Sequence, residues 1–229
     1  MFSNTKKIFQ DDGRVNSMAK KNEALRIYEI LKEKIIYLEF EPGMVLNEVD
    51  LASEFDVSRT PIREAFQKLS ADKLLQIIPR FGAQVAHIDF RYMKSVFEVT
   101  REMEPFAVKL AAARLQEGDI KNLQGILDEL NTLSIETDYK MAIILDEKFH
   151  KIILDKCNNP CLKNILYDLH IHTERLWHYS ENYINSMDIF TVTLKGVLDA
   201  IKAKDDEKIV KASREHIDAF VQKIKEEML

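Results

Sequence analysis

The sequence predicts a mainly α-helical protein with two domains, a small one in which short helices precede a β-hairpin, and a larger antiparallel helical bundle. Three observations support this prediction. Apolar residues recur at helical spacing through most of the chain, strand-forming signals are confined to residues 75–88, and 229 residues are enough to bury two separate cores. Hydrophobic residues make up 46% of the chain and charged residues 31%, a composition typical of soluble helical proteins.

Charge and hydropathy exclude two classes of protein. The formal net charge of −5 argues against a protein that coats nucleic acid without selectivity, although it is compatible with a local basic face. No apolar run approaches the ~20 residues of a membrane span, and the N-terminus lacks the apolar core of a signal peptide. We therefore predict a cytoplasmic protein with no membrane partner.

The N-terminal region is predicted to contain an arm and a first helix. Residues 1–21 lack apolar periodicity and are predicted to form a flexible arm. From Asn22 onward, apolar residues step by three and four, which predicts a helix that ends at the Glu-Pro-Gly turn of residues 41–43. The residues of this stripe are Leu25, Tyr28, Leu31, Ile35 and Leu38.

Two further helices and a hairpin complete the first domain, which we place at residues 22–88. The second helix is predicted to start near residues 47–48, and Ser58 is predicted to be the N-cap of the third. Two β-favouring runs, Leu75–Ile78 and Ala83–Ile88, flank a Pro-Arg-Phe-Gly turn. They predict a hairpin, or wing, after the two short helices.

The second domain, residues 89–229, is predicted to be an all-α antiparallel bundle. Strand signals vanish after Asp89, and helical stretches are predicted near residues 89–116, 119–135, 138–157, 160–180, 187–204 and 206–227. Gly118 and Pro160 are predicted joints between helices, whereas Asp138 and Asp205 are predicted caps.

A long motif runs through the first domain. Its residues are Leu51-Ala52, then VSRTPIREA at 57–65, Leu69 and Gly82, in this order. In this order and spacing, the segment resembles the winged helix-turn-helix of the GntR family over its whole length. The resemblance implies a bacterial transcription regulator that binds a double-stranded DNA operator.

The start of the third helix carries side chains suited to DNA contact. Arg59 and Arg63 are four residues apart, and each can direct two donors at guanine or phosphate. Ser58 and Thr60 can contact the DNA backbone at the positive end of the helix. Pro61 is compatible with the first turn, where its missing N–H has no helical partner.

The wing is the second predicted DNA contact. The resemblance implies that Arg80, Phe81 and Gly82 approach the minor groove. An isolated SRTPIR match would fit a solvated helix start equally well. Here the match continues through helix, turn, helix and wing, which favours DNA binding.

Several shorter motifs occur in the second domain. They are VTREMEP at 99–105, Ala111-Ala112, DEKFH at 146–150, NNP at 158–160 and EHI at 215–217. Their order resembles the effector-binding domain of the FadR subfamily, specifically its FCD branch. The resemblance implies that Asp146, His150 and His216 bind a divalent metal, zinc or nickel, which helps to bind a carboxylate effector.

The metal set departs from the pattern of this branch at one position. Leu194 stands where the branch usually has a histidine, and His172 is a candidate substitute nitrogen as well as a candidate effector-binding residue. Asp146 and His150, at i and i+4, share one helix face, as two ligands of one metal must. For each histidine, a hydrogen-bonded core position is the alternative, and for His170 and His178 we predict a core or surface role.

Arg101 is the second candidate effector-binding residue. It shares a helix face with Phe97 and Val108, so it is predicted to point inward. An inward Arg needs an anion, which would be either a carboxylate such as Glu104 or the bound effector.

We therefore predict a non-enzymatic DNA-binding regulator, a repressor that acts as a homodimer and is controlled by a small carboxylate. One alternative is a metallohydrolase that uses Asp146, His150 and His216, although no general base is evident beside them. The other is a DNA-binding protein whose bundle serves dimerisation alone.

Overall fold

The structure is a computed structural model that describes residues 11–80 and 82–228. The chain divides into two compact units, Met1–Ile88 and Asp89–Leu229. Among the described residues, none of the helices is both long and apolar enough to cross a lipid bilayer.

The described part of the N-terminal unit combines three helices with a small antiparallel sheet. Its elements are α1 (Asp11–Ile36), β1 (Val45–Leu46), α2 (Glu48–Glu54), α3 (Arg59–Ala71), β2 (Leu75–Ile78) and β3 (Gly82–Val85). The strand order is β1-β3-β2, and α3 packs against both α1 and α2. The predicted helix-turn-helix and wing are therefore confirmed.

Four details of this unit differ from the prediction. Helix α1 begins at Asp11, inside the predicted arm, and residues 1–10 of that arm lie outside the described residues. It ends at Ile36, before the predicted end at residues 41–43. Among the residues of α1 whose burial is described, Ala24 and Ile27 are buried, whereas Leu25 is 47% exposed. Strand β1 was absent from the prediction because two residues are too few to show an alternating pattern.

Gly82 holds the wing against β1. Its φ of +120° lies in the region that favours glycine, and a Cβ there would meet the carbonyl oxygen of Leu46 at 2.2 Å. Leu46 pairs with Ala83 in the sheet. The glycine assigned to DNA approach is therefore required by the fold of the unit itself.

The described residues of the C-terminal unit form the predicted antiparallel bundle. Its helices are α4 (Phe90–Ala112), α5 (Glu117–Leu130), α6 (Ile135–Lys156), α7 (Pro160–Tyr179), α8 (Asp188–Ala203) and α9 (Asp206–Met228). Helix α4 packs against α6, α7, α8 and α9, so it lies at the centre of the bundle. Large side chains such as Phe149 and Phe190 fill the core.

Two of the four predicted helix boundaries are confirmed. Pro160 is the first residue of α7, and Asp205 Oδ1 accepts hydrogen bonds from two backbone N–H groups in the first turn of α9. Gly118 instead lies in the first turn of α5, because Gln116 and Asp119 form a capping box in which Gln116 is the N-cap. Asp138 lies within α6 at a kink, where its carboxylate accepts a hydrogen bond from the backbone N–H of Ser134.

Candidate functional site

The recognition helix α3 exposes two of the predicted DNA-contacting side chains to solvent. The side chains of Arg59 and Arg63 are 54% and 55% exposed. The opposite face of α3 is buried through Ile62, Ala65 and Phe66, which fixes the direction in which the two arginines point. Both guanidinium groups therefore remain accessible to a ligand.

A carboxylate that the sequence analysis did not single out holds the two arginines together. Glu48, the first residue of α2, accepts hydrogen bonds at Oε2 from Arg59 Nη2 at 2.8 Å and from Arg63 Nε at 2.8 Å. Burial raises the pKa of Glu48, but the hydrogen bonds from both arginines outweigh it and lower that pKa. No local signal reveals this contact, because Glu48 lies in a different helix.

The other predicted residues of this helix take different roles. Ser58 occupies the N-cap position, but its side chain makes no capping hydrogen bond, so the hydroxyl and the exposed Thr60 are both available. Pro61 is buried in the first turn, where it packs within its own unit. The burial of Pro61 does not favour the predicted contact of its side chain with DNA, which stays a prediction.

The wing presents a single described basic side chain at its tip. Arg80 is exposed and has a φ of 72°, as the tight turn between β2 and β3 requires. Phe81 lies outside the described residues. Among the described residues of the wing, the exposed Arg80 has a side chain that is suited to reach DNA.

The C-terminal unit contains a cavity of about 50 Å³ between its central helices. Its described lining is rich in carboxylates and imidazoles and includes no Lys or Arg. The lining residues are Phe97, Thr100, Glu104, Asp146, Glu147, His150, His170, Thr173, Glu174, Trp177, His216, Ile217 and Phe220.

Three of the predicted ligands converge in this cavity. One ligand atom from each of Asp146, His150 and His216 lies within 4.8 Å of the other two. The His150 Nε2 to His216 Nε2 distance is 3.1 Å. His150 Nε2 lies 3.6 Å from Asp146 Oδ2, and His216 Nε2 lies 3.6 Å from Asp146 Oδ1. Asp146 is buried, and its Oδ1 has no hydrogen-bond partner.

Hydrogen bonds to the far side of each ring orient the two imidazoles. His150 Nδ1 lies 2.8 Å from Glu104 Oε1 and donates to it. The hydroxyl of Thr193 donates to the Ile189 carbonyl at 2.6 Å, so its oxygen accepts from His216 Nδ1 at 2.7 Å. Because both Nδ1 atoms carry a proton that is donated away from the cavity, both Nε2 atoms face the cavity, which is the orientation found in metal-binding histidines.

The environment of the cavity shifts the pKa values of His150 and His216 in opposite directions. Burial lowers the pKa of His150, but the carboxylates of Glu104 and Asp146 outweigh it and raise that pKa to about 9. Burial also raises the pKa of Glu104, and the His150 charge outweighs it and lowers that pKa well below its usual range. Burial lowers the pKa of His216. At neutral pH without a metal, His150 is charged and donates Nε2–H to the neutral His216.

The structure corrects the assignment of histidines on α7. His170, predicted to have a core or surface role, lines the cavity, with Nε2 3.3 Å from Glu104 Oε1. His172, the predicted effector and substitute metal residue, is absent from the described lining, and its ring packs edge-on against Tyr92 with centroids 5.1 Å apart. His178 is buried near Glu147, consistent with a core role.

Arg101 also lies outside the cavity. Its side chain is 41% exposed and forms two hydrogen bonds to Asp218, from Nε at 2.7 Å and from Nη2 at 2.9 Å. The anion that pairs with Arg101 is therefore a carboxylate of the protein, as in one of the two predicted alternatives, but it is Asp218 on α9 rather than Glu104. Effector binding by Arg101 stays a prediction. Leu194 is fully buried and is absent from the described lining.

Two known families match this chain over separate ranges. Residues 23–85 match the gntR family of bacterial regulatory proteins, and residues 95–219, more than half of the chain, match the FCD domain family. The chain belongs to the GntR family, in the branch with an FCD domain. GntR-family proteins are DNA-binding transcriptional regulators rather than enzymes, which agrees with the sequence-based expectation.

Relatives cover most of this GntR-family chain. The HTH-type transcriptional regulator YdhC of Bacillus subtilis is 29% identical over 84% of this chain and 85% of YdhC. The HTH-type transcriptional repressor RspR of Escherichia coli is 22% identical over 88% of both chains. The solved structure of E. coli McbR/YncC has a TM-score of 0.76 at 25% identity and covers 89% of this chain and 97% of that one.

Proposed function

We propose that this regulator is a repressor that binds a two-fold DNA operator as a homodimer, and that a small carboxylate bound with a divalent metal in the FCD cavity releases it. The observation that carries the proposal is the convergence of Asp146, His150 and His216 on one buried point. The name of RspR as a repressor supports the direction of regulation.

Operator contact is assigned to α3 and the wing. Arg59 and Arg63 are exposed on one face of α3, where bidentate donors can reach guanine edges in the major groove. Arg80 at the wing tip supplies a cation for phosphate or the minor groove. Ser58 and Thr60 are proposed to contact the DNA backbone.

The residues of the cavity fit a divalent metal. FCD domains often bind one. Here Asp146 Oδ1 is buried without a partner, and two imidazole nitrogens face each other across 3.1 Å. Two lone pairs at that distance repel unless a proton or a metal ion lies near both. We assign Asp146, His150 and His216 as ligands of zinc or nickel, oriented by Glu104 and Thr193.

The charge of the cavity explains why the effector would need the metal. Four carboxylates line the cavity, those of Glu104, Asp146, Glu147 and Glu174, and its described lining includes no Lys or Arg. A carboxylate effector is repelled by these groups. When bound, a divalent ion supplies the positive charge that attracts the carboxylate. His170 and Thr173 offer hydrogen bonds beside it.

An exposed apolar face on the bundle supports the homodimer. Val99 and Phe106 lie seven residues apart on α4 and are 42% and 49% exposed, and Ile165 on the adjacent α7 is 40% exposed. The Tyr92–His172 ring contact connects the two helices along this face. A second copy that covers this face would place two winged domains on two half-sites.

Operator binding with and without metal tests the proposal. The protein is stripped with a chelator and reloaded with zinc, and its affinity is measured for a duplex selected from a random pool. Small carboxylates should weaken operator binding of the zinc-loaded protein about 5- to 150-fold and leave the stripped protein unchanged. A carboxylate that binds the loaded bundle tightly without changing operator affinity is not the effector.

A further inference from the structure

We propose that Glu48 is a specificity-determining residue of the DNA-binding surface. It positions Arg59 and Arg63 for contact with bases, and its charge weakens the attraction of that surface to DNA of any sequence. The proposal rests on the proposed function, because it requires that the two arginines contact the operator.

The contact geometry leaves the DNA-binding ends of both arginines free. Arg63 donates to Glu48 through Nε alone, and its two terminal Nη groups have no partner among the described residues. Arg59 donates through Nε at 3.3 Å and Nη2 at 2.8 Å, which leaves Nη1 and the outer hydrogen of Nη2. Guanine O6 and N7 are contacted through this terminal pair of nitrogens. Glu48 therefore holds both side chains by the edge that a guanine contact does not use.

Glu48 is itself fixed in place. The side chain of Asn47 caps α2 by accepting a hydrogen bond from Val49 N at 2.7 Å, so Glu48 lies in a closed first helical turn. Its side chain is 19% exposed, far less than the arginines that it contacts. A negative charge is also favourable at the N-terminus of a helix. These constraints limit the rotamers of both arginines before DNA arrives.

Two effects of opposite sign follow from this arrangement. Restricting long side chains in their binding conformation favours the operator, where base contacts need a defined direction. The negative charge of Glu48 opposes binding to phosphates, which dominates affinity for non-specific DNA. Both effects widen the ratio of specific to non-specific affinity.

The Glu48→Gln variant of the full chain tests this directly. We compare its affinity for a duplex selected by the wild type and for the same duplex with both half-sites scrambled. Affinity for the scrambled duplex should increase, and the slope of log K against log salt should steepen by up to ~1. The affinity ratio between the two duplexes should fall at least about fivefold, because a neutral amide oxygen holds the two guanidinium groups more weakly than the carboxylate does.

Two further variants separate charge from position. Asp50→Asn removes the same charge two residues away on α2, where the carboxylate is exposed and contacts neither arginine among the described residues, so it should show the charge effect alone and lower the affinity ratio less than Glu48→Gln does. Glu48→Asp keeps the charge but shortens the side chain, so the ratio should fall without a gain in affinity for the scrambled duplex. Thermal melting checks that all variants fold.

The outcomes distinguish this proposal from the proposed function. If Glu48→Gln and Asp50→Asn have the same affinity ratio, the positioning role of Glu48 is overturned while the arginine contacts stand. If Arg59→Ala and Arg63→Ala both keep the wild-type ratio, the operator contact and the role of Glu48 are overturned together.

Discussion

The net charge around an exposed arginine of this protein depends on how many carboxylates it contacts. Arg101 is matched by Asp218 through two hydrogen bonds, so that pair is neutral. Arg59 and Arg63 share the single carboxylate of Glu48, so their cluster keeps one positive charge. An uncompensated positive charge on an exposed helix face is suited to DNA, whereas a closed pair is suited to holding two helices together.

At the scale of residues, the first prediction concerns the recognition helix. Arg63→Ala and Arg59→Ala should each weaken operator binding by ~1–3 kcal/mol and relax the base preference, because each removes a base contact. Arg80→Ala should weaken the selected and scrambled duplexes about equally, because it removes a cation rather than a base contact. Gel-shift titrations with both duplexes measure the difference. Equal loss on both duplexes for the α3 variants would contradict base contact.

The second prediction concerns the orientation of His216. Thr193→Val should lower zinc affinity about 10- to 100-fold, because His216 Nδ1 loses the hydroxyl that fixes its tautomer. Thr191→Val is the matched control, since among the described residues the Thr191 hydroxyl bonds only the carbonyl of Met187, the N-cap of its own helix. His150→Ala should abolish binding. Calorimetry on stripped protein gives the three affinities, and equal values for the two threonine variants would contradict the assignment.

The third prediction is the pH dependence of metal binding. Without a metal, the pKa of His150 is about 9, so at pH 7 its imidazole is protonated and must lose a proton to bind a metal. Zinc binding at pH 7 should release about one proton, and affinity should rise with pH up to about 9 and then level off. Calorimetry in buffers of different ionisation enthalpy counts the proton. No release at pH 7 would contradict the Glu104–His150 interaction.

At the scale of elements, the sequence predicts which segments are helical better than which face of each helix points inward. On α7, two rows of residues satisfy helical spacing. One row is Leu162, Leu166, His170, Thr173 and Trp177, of which the last three line the cavity. The other row is Ile165, Leu169, His172 and Leu176, which runs from the exposed Ile165 to the buried Leu176. Because both rows are largely apolar, periodicity alone cannot separate the core from a surface that a partner would cover. The choice between His170 and His172 depends on tertiary packing.

Contacts between helices are the second feature that the sequence alone does not predict. The DNA-binding motif is local, so the sequence predicts α2, α3 and the wing with their exposed arginines. Glu48, Glu104 and Thr193 act on residues in other helices, and a single sequence shows no pairing between them. The convergence of Asp146 and His150 was predictable from their i, i+4 spacing.

The fourth prediction concerns the wing. Gly82→Ala should destabilise the N-terminal unit by ~1–3 kcal/mol or more, because alanine is strained at a φ of +120° and its Cβ would clash with the Leu46 carbonyl. Gly125→Ala on α5 is the control, since a Cβ there meets nothing within 4 Å, and it should stabilise by ~1 kcal/mol at most. Denaturant unfolding measures the stability of both variants, and hydrogen exchange of the β3 amides shows whether the wing is the part that is destabilised. A stable Gly82→Ala wing would contradict the close approach.

At the scale of the whole molecule, the prediction concerns the dimer. Phe106→Glu should dissociate the homodimer, because it places a charge in the proposed α4–α7 interface. Val192→Glu replaces another strongly exposed apolar residue, on α8, and should leave the dimer intact. Sedimentation at micromolar concentration gives both masses, and operator affinity should fall with dissociation. An intact Phe106→Glu dimer would place the interface elsewhere.

The architecture of both units was predictable because each has its own apolar periodicity and its own motif order. Residues 75–88 contain the strand signals that separate the wing from the bundle, and helical spacing dominates from Asp89 onward. The sequence predicts association between copies less well, since an apolar helix face that binds a second copy has the same residue pattern as a face in the core.

The four carboxylates that line the cavity make the proposed repressor sensitive to the concentrations of both the metal and the carboxylate effector. Glu104, Asp146, Glu147 and Glu174 disfavour an anion that arrives alone. In the proposed mechanism, a cell starved of metal keeps the operator occupied however much carboxylate it contains, and a cell rich in metal but lacking the carboxylate does the same. The regulated genes would then be expressed only when nutrient and metal coincide, the behaviour of an AND gate built from four acidic side chains.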